Sequence, residues 1–325
     1  MRIGLTGATG LLGRELGVVL RDSGWGGPPR LLGLGDSAAG GKGGRSLVEF
    51  EDEPALIEDL TRERVSDLDL LFLAGGEEET RRAWELAQTA PVRVVDLTGR
   101  LEPELGAELA GWAGAAPARL VVVAHPAAQA LAHLLGALER AGELVSAVAT
   151  VFEPASERGW AGIQELEQQS VRLLALQSQP REVFDAQVAF NLRMRLGEEA
   201  QPSLGVVRER IARQLPRLRG ADRLTPALEL LQAPLFHASV ISLFVTFRAA
   251  VDAAAVTAAL EMPGIAVAPE TDPPDAQAAA GEDAIQVSRP RADRGGFWLF
   301  ATLDNLRRTA VSAVASARAG LEPRA

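Results

Sequence analysis

The stretch Arg2-Ile-Gly-Leu-Thr-Gly-Ala-Thr-Gly-Leu-Leu-Gly-Arg-Glu-Leu-Gly-Val-Val-Leu20 decides the fold. It reads as a buried strand, a glycine turn and a helix. Gly7, Gly10 and Gly13 stand at the spacing G-x-x-G-x-x-G, where a missing Cβ permits a tight turn, close approach of backbone to ligand and close packing of helix on strand. Backbone N–H groups at the helix start then face an anion, most simply the pyrophosphate of a dinucleotide. A bare glycine triplet is a weak signal, but an apolar strand before it and an amphipathic helix after it give the context of a Rossmann-like fold. The expected cofactor-binding residues of this turn are Gly7, Ala8, Thr9, Gly10, Leu11, Leu12 and Gly13. The competing reading is a Rossmann fold that keeps its glycines for packing and has lost the ligand.

Beyond that stretch, residues 30–35 read as a second strand, 36–45 as a glycine-rich loop, and 68–74 as a third strand ending at Gly75 and Gly76. Residues 77–88 read as a surface helix, and 92–97 and 120–124 as two more β-branched strands. Strands alternating with helices imply right-handed crossovers and a parallel sheet. From about Ala127 the pattern changes: helices at 127–141 and 163–176, and strands at 144–152, 241–247, 284–288 and 297–303. Longer, separated strands of this kind suggest an α+β domain with a mixed sheet. Residues 269–282, rich in Pro, Asp, Ala and Gly, read as a loop, and 304–319 as a closing helix that returns to the first domain. The expected fold class is therefore α/β, a Rossmann-like parallel-sheet domain over 1–126 with 304–325 and an α+β domain with a mixed sheet over 127–303.

Composition bounds the chemistry. With 325 residues, 47% of them hydrophobic, the chain buries a core large enough for two domains. No apolar run approaches a membrane span and the N-terminal residues enter a strand directly, so a cytoplasmic protein without membrane contact is expected. The net charge of −10 argues against nucleic acid as a partner. There is no cysteine, which removes disulfides, thiolate metal sites and any thiol nucleophile. Lys42 is the only lysine and sits in a glycine-rich loop, which argues against Schiff-base chemistry.

Several stretches in chain order point to one family. Gly7-Ala-Thr-Gly-Leu-Leu-Gly-Arg-Glu-Leu16, Phe72-Leu-Ala-Gly-Gly76, Gly162-Ile-Gln-Glu-Leu-Glu-Gln-Gln169, Val188-Ala-Phe-Asn191, Ala233-Pro-Leu-Phe236 and Asp304-Asn-Leu-Arg307 resemble aspartate-semialdehyde dehydrogenase. The resemblance spans nearly the whole chain. It implies an N-terminal dinucleotide domain, a C-terminal catalytic and dimerisation domain, hence a homodimer, and reduction of an aspartyl phosphate with NADPH through a cysteine thioester. A small-molecule ligand is expected in the interdomain cleft.

This sequence departs from the family where the chemistry sits. In place of Asn-Pro-Asn-Cys stands His125-Pro-Ala-Ala128, so the nucleophile position is Ala128, whose methyl group forms no thioester. The arginine that grips the substrate carboxylate and the acid/base histidine seven residues on are matched by Gln232 and Ser239, and the active-site glutamine by Glu153. The phosphate-binding arginine after the fourth strand is matched by Glu102, with Arg100 nearby, whereas Arg210 matches a substrate-binding lysine. These losses, with Phe184-Asp185-x-Gln187 and the Gln-Ala-Pro start at Gln232, resemble the Usg-type paralogues, a branch regarded as lacking dehydrogenase chemistry. No catalytic residue of the family reaction is therefore assigned.

Other residues carry open alternatives. Asp36 and Ser37 replace the Arg-Ser pair that grips a 2′-phosphate; an acid there favours a ribose diol, giving NAD a slight preference over NADP, while Lys42 pulls the other way. Read as an ordinary loop aspartate, Asp36 selects nothing. His125, His133 and His237 lack metal-ligand spacing, so no metal is expected. Ser156 reads as a capping or loop hydrogen bonder rather than a nucleophile. Three functions follow: a catalytically silent homologue with a structural, ligand-sensing or partner-binding role, an oxidoreductase of altered chemistry using NAD(P), or residual semialdehyde dehydrogenase activity in amino-acid biosynthesis.

Overall fold

The computed structural model describes residues 1–25, 27–34, 45–51, 53–112 and 118–319. Asp36, Ser37 and Lys42 lie outside the described residues. The chain divides into two compact units, Met1–Ala124 with Thr309–Ala325, and His125–Arg308.

The first unit contains β1 (Ile3–Thr6), α1 (Leu11–Asp22), β2 (Arg30–Gly33), β3 (Arg45–Phe50), β4 (Glu53–Asp59), α2 (Arg62–Ser66), β5 (Leu70–Leu73), α3 (Glu77–Ala87), β6 (Arg93–Asp96), β7 (Ala107–Ala110) and β8 (Leu120–Val123). They form one eight-stranded sheet in the order β3-β4-β2-β1-β5-β6-β8-β7. Every pairing is parallel except β3 on β4. Helices cover both faces of such a sheet, so its central strands are apolar throughout: all four residues of β1, β5 and β8 are buried. The β3-β4 hairpin and β7 escape the sequence reading, because Glu53, Pro54, Glu58 and Asp59 give β4 the polarity of a loop on the sheet margin.

The second unit contains α4 (Pro126–Leu138), β9 (Leu144–Glu153), α5 (Gly159–Leu174), α6 (Leu204–Arg219), β10 (Ala227–Gln232), β11 (Ser239–Phe247), α7 (Ala253–Leu260), β12 (Ile265–Val267), β13 (Ile285–Val287), β14 (Arg291–Asp293) and β15 (Gly296–Leu303). A final helix, α8 (Asn305–Ala319), begins here, and its residues from Thr309 on belong to the first unit. The sheet runs β10-β9-β11-β15-β13-β12, with β14 on β15, and is mixed: β10 with β9 and β12 with β13 are parallel, the others antiparallel. Alternate residues Ala147, Ala149 and Val151 of β9, and Ile241, Leu243 and Val245 of β11, join Leu131, Leu134 and Leu135 of α4 and Ile211 of α6 in one core. The other face presents Val148, 47% exposed, Phe300, 40% exposed, and a Phe244–Trp298 ring pair 4.9 Å between centroids. No helix or strand forms between Val267 and Ile285, in keeping with the loop composition there. α6 and α7 were not placed by the sequence pattern; α6 carries Pro216 inside it and a run of arginines.

Candidate functional site

In the first unit the glycines converge where β1 and β5 end. Gly7 follows β1 with φ +72°, and a Cβ there would lie 2.4 Å from the backbone of Ala74 and Gly75. A Cβ on Gly13 would lie 2.1 Å from the Gly7 carbonyl oxygen. Both positions are thus fixed by close packing of strand, turn and helix. Gly10 differs: its Cβ would meet only the Gly7 oxygen at 3.4 Å, and a Cβ on Gly76 would meet nothing within 4 Å. Protein packing does not explain either of these. Gly10 is also the N-cap of α1, which has no side-chain cap and no acid in its first turn. Ala8 is buried, Thr9 exposed, and Leu11 and Leu12 half-buried around the same turn.

One acid enters this mouth. Glu79, in the first turn of α3, faces the ends of β2 and β1, where the backbone N–H groups of Leu34 and Gly7 favour its charged form, and a Cβ on Gly33 would lie 3.5 Å from its Oε1. Its Oε2 lies so close to Gly75 that a Cβ there would fall 1.8 Å away. Burial pushes the Glu79 carboxyl up to about 6, against the lowering effect of those two N–H groups.

The second unit holds a buried polar cluster at one edge of its sheet. Parallel β10 and β9 end level with each other, Gln232 opposite Glu153. β11 starts at the same edge: Val240 pairs with Phe152, so Ser239 comes level with Glu153. Gln232 Nε2 donates to the Glu153 carbonyl at 2.9 Å. Glu153 Oε2, Gln232 Oε1 and Ser239 Oγ are buried with no hydrogen-bond partner among the described residues. Just beyond β9, Glu157 accepts from Asn305 Nδ2 at 2.9 Å, and Ser156 Oγ donates to Asn305 Oδ1 at 3.1 Å. Burial, then the neighbouring Glu157, pushes Glu153 up to about 8 despite Arg158 and Arg210, and burial raises Glu157 as well. The two carboxyls act as a pair that retains a proton near neutral pH.

His125 caps α4. Its Nδ1 accepts from the Ala127 N–H at 3.2 Å, its own N–H donates to Gln214 Oε1 at 2.8 Å, and its Nε2 lies 3.8 Å from Glu157 Oε2. Burial and the Arg210 charge hold it down to about 3, so it stays neutral, with Nδ1 the acceptor. Ala128, in the first turn of α4, is fully buried in the aliphatic core. The arrangement places a carboxylic acid that burial favours in its protonated form beside polar acceptors.

The family profile of the semialdehyde dehydrogenase dimerisation domain matches residues 135–308. A USG-1 protein homolog of Azotobacter vinelandii is 30% identical over 324 residues, covering 96% of this chain and 95% of the relative. This chain belongs to the semialdehyde dehydrogenase family. An aspartate-semialdehyde dehydrogenase of Rickettsia bellii is 26% identical over 327 residues, covering 95% and 94% of the two chains. A solved structure of a probable aspartate-semialdehyde dehydrogenase from Pseudomonas aeruginosa superposes with a TM-score of 0.83 at 28% identity over 98% of both chains. The Usg-type likeness and the two-domain fold expected from the sequence therefore stand.

Within this semialdehyde dehydrogenase fold, the sequence-derived positions fall into two groups. Gly7, Gly10, Gly13, Gly75 and Gly76 surround one mouth of the first unit, and Glu153, Gln232 and Ser239 meet at one sheet edge of the second. Arg210 joins the second group, near enough to bias Glu153, Glu157 and His125. Arg100 Nη1 reaches the Gly75 carbonyl at 3.5 Å. His133 is held elsewhere, its Nε2 3.0 Å from the Pro263 carbonyl. Among the described residues no three His, Asp or Glu side chains gather as metal donors. Glu79, Glu157 and Arg158 were missed: each is an ordinary surface-type residue in sequence, and only the fold turns it inward.

Proposed function

We propose that this chain is a semialdehyde dehydrogenase homologue that does not perform the family's phosphorylating reduction and works instead as a ligand-binding or partner-binding homodimer. The observation that carries this reading is the absence of any cysteine from the chain, with Ala128 at the position that the resemblance assigns to the nucleophile. Without a thiolate no thioester forms, and loss of one member of a cooperating catalytic set costs about 10⁴-fold or more in rate. Gln232 and Ser239 remove an arginine and a histidine of the family pattern, and Glu153 puts an acid where the family has a neutral glutamine, leaving Arg210 as the matched cation.

The nucleotide half of the family site persists in this reading. Gly10 and Gly76 leave backbone open where packing requires no glycine, and the uncapped start of α1 offers N–H groups to a pyrophosphate. Either NAD or NADP fits this generic half, with NAD preferred on the acidity of the mouth, and no metal is needed. In the second unit, the unpartnered Glu153, Gln232 and Ser239 atoms suit a small polar ligand that both donates and accepts hydrogen bonds. The apolar outer sheet face around Phe244, Trp298 and Phe300 suits a second copy of the chain.

The test is direct. Purified protein is incubated with aspartate semialdehyde, phosphate and either dinucleotide, and the same preparation is titrated with each dinucleotide by calorimetry. Cofactor binding without turnover is expected, from a dimer by light scattering. Turnover of aspartate semialdehyde, lost on mutating the glycine turn, would refute the reading. A second reading, an oxidoreductase of different chemistry, draws support from Glu153, a buried acid that keeps its proton near neutral pH and so suits proton donation to a reduced carbonyl. Oxidation of a reduced dinucleotide by some other carbonyl compound would favour it.

A further inference from the structure

Glu79 is not explained as a helix cap. Acids in the first turn of a helix usually serve its own N–H groups or its dipole, as the exposed Glu77 and Glu78 beside it do. Glu79 turns away from α3 towards the ends of two other strands, with Oε1 3.5 Å from where a Cβ on Gly33 at the end of β2 would stand and Oε2 pressing on Gly75 after β5, and the N–H groups of Leu34 and Gly7 favour its charged form. Those three strands are adjacent, in the order β2-β1-β5. Ligands of open α/β sheets bind just outside such strand ends, with the ribose near the end of the second strand. The carboxylate therefore stands inside the cleft, at its ribose end, and not on its rim.

We propose that Glu79 is the selecting residue of this cleft: its carboxylate accepts the hydroxyls of an unmodified nucleoside ribose and repels a ribose bearing a 2′-phosphate. The proposal rests on the reading that the first unit binds a nucleotide, and it assigns the ligand class as a nucleoside phosphate with a free 2′-hydroxyl. Each carboxylate oxygen has more than one lone pair, so the neighbouring N–H groups of Leu34 and Gly7 leave acceptor capacity for a diol. At pH 8 the group is ionised, and a phosphate dianion brought beside it in a half-buried site meets like charge. Glu79 itself supplies the conformational reason for Gly75, since any side chain there would displace the carboxylate.

The experiment titrates the native protein, Glu79→Gln and Glu79→Ala at pH 8 with four probes: 5′-AMP, 2′,5′-ADP, NAD and NADP. The glutamine keeps the shape and an acceptor oxygen while removing the charge. Native protein is expected to bind 5′-AMP and NAD about tenfold more tightly than their 2′-phosphorylated counterparts, and both variants to bring each ratio within about threefold. Binding of all four probes with ratios unmoved by the variants would overturn the selecting role and leave the nucleotide reading standing. Binding of none by any of the three proteins would overturn both. Thermal melts accompany each titration; if both variants fail to fold, the carboxylate is a structural tie and the selecting role is wrong.

Discussion

The mouth of the eight-stranded sheet is built from backbone, whereas the polar edge of the seven-stranded sheet is built from side chains. Gly7 and Gly13 are required by the packing of β1, α1 and the turn after β5, so the residues that shape this mouth are the residues that hold the domain together. Glu153, Gln232 and Ser239 sit on strand ends whose register is set elsewhere, by aliphatic residues of β9, β10 and β11. Their side chains can change without touching the fold. A site carried by backbone is hard to lose; one carried by side-chain chemistry goes with a few substitutions.

The comparison is sharpened first by catalysis, where the largest effect is expected. Ala128→Cys restores a thiol but none of its partners, so turnover of aspartate semialdehyde should remain about 10⁴-fold or more below that of a cysteine-bearing family member. A steady-state assay that finds activity within about a hundredfold would mean that the second site is intact apart from one atom. Next comes Gly13→Ala. Its Cβ falls 2.1 Å from the Gly7 oxygen, and strand or helix must shift to make room, which should cost about 3 kcal/mol or more in urea unfolding whether or not a nucleotide is present.

Glu153 gives an intermediate effect with a definite sign. Its carboxyl is raised from the ordinary 4.5 to about 8, so the folded state holds a proton that the unfolded state has released across that window. Its contribution to stability is therefore fully present below about 4.5 and is lost as pH rises through about 8. His125, held down to about 3, acts in the opposite sense between its two values, gaining stability as pH rises towards 6.5. The difference between native and Glu153→Gln isolates the acid: the variant should gain about 1–3 kcal/mol on the native protein between pH 5 and pH 8. A flat difference curve would place Glu153 in a wetter setting than its burial implies. The smallest effect belongs to Gly10→Ala, expected to cost under about 1 kcal/mol in stability yet to weaken dinucleotide binding about tenfold. If stability falls as far as in Gly13→Ala, Gly10 is a packing glycine and the distinction drawn at this turn fails.

What the sequence disclosed follows the same division. The glycine spacing and the apolar runs at β1, β5, β6 and β8 are local signals, and they located the parallel sheet and its mouth. The β3-β4 hairpin carries acids and a proline on a sheet margin, so no periodicity announces it. Glu79 is the third of three consecutive glutamates, and nothing in composition separates the one that turns inward from the two that face water. Glu153 was found through resemblance; Glu157 and Arg158 follow it in the next turn, but Asn305 and Arg210 come from segments far away in the chain, and their meeting is a property of the sheet and its helices.

The first unit is written in two pieces, with its last helical residues encoded after the whole of the second unit. Ala310, Ala313, Val314 and Ala317 of α8 belong to the core around Leu5, Val95 and Val121, and Arg93 donates to the carbonyls of Ser316 and Ala317. During synthesis from the N-terminus, the ribosome presents the eight strands long before these residues exist. Phe297, Leu299, Ala301 and Leu303 of β15, which complete the core of residues 125–308, are made only a few residues before α8, so neither unit has its whole core until the last part of the described chain is made. The first unit's strands, made earliest, therefore wait longest for the residues that close their core.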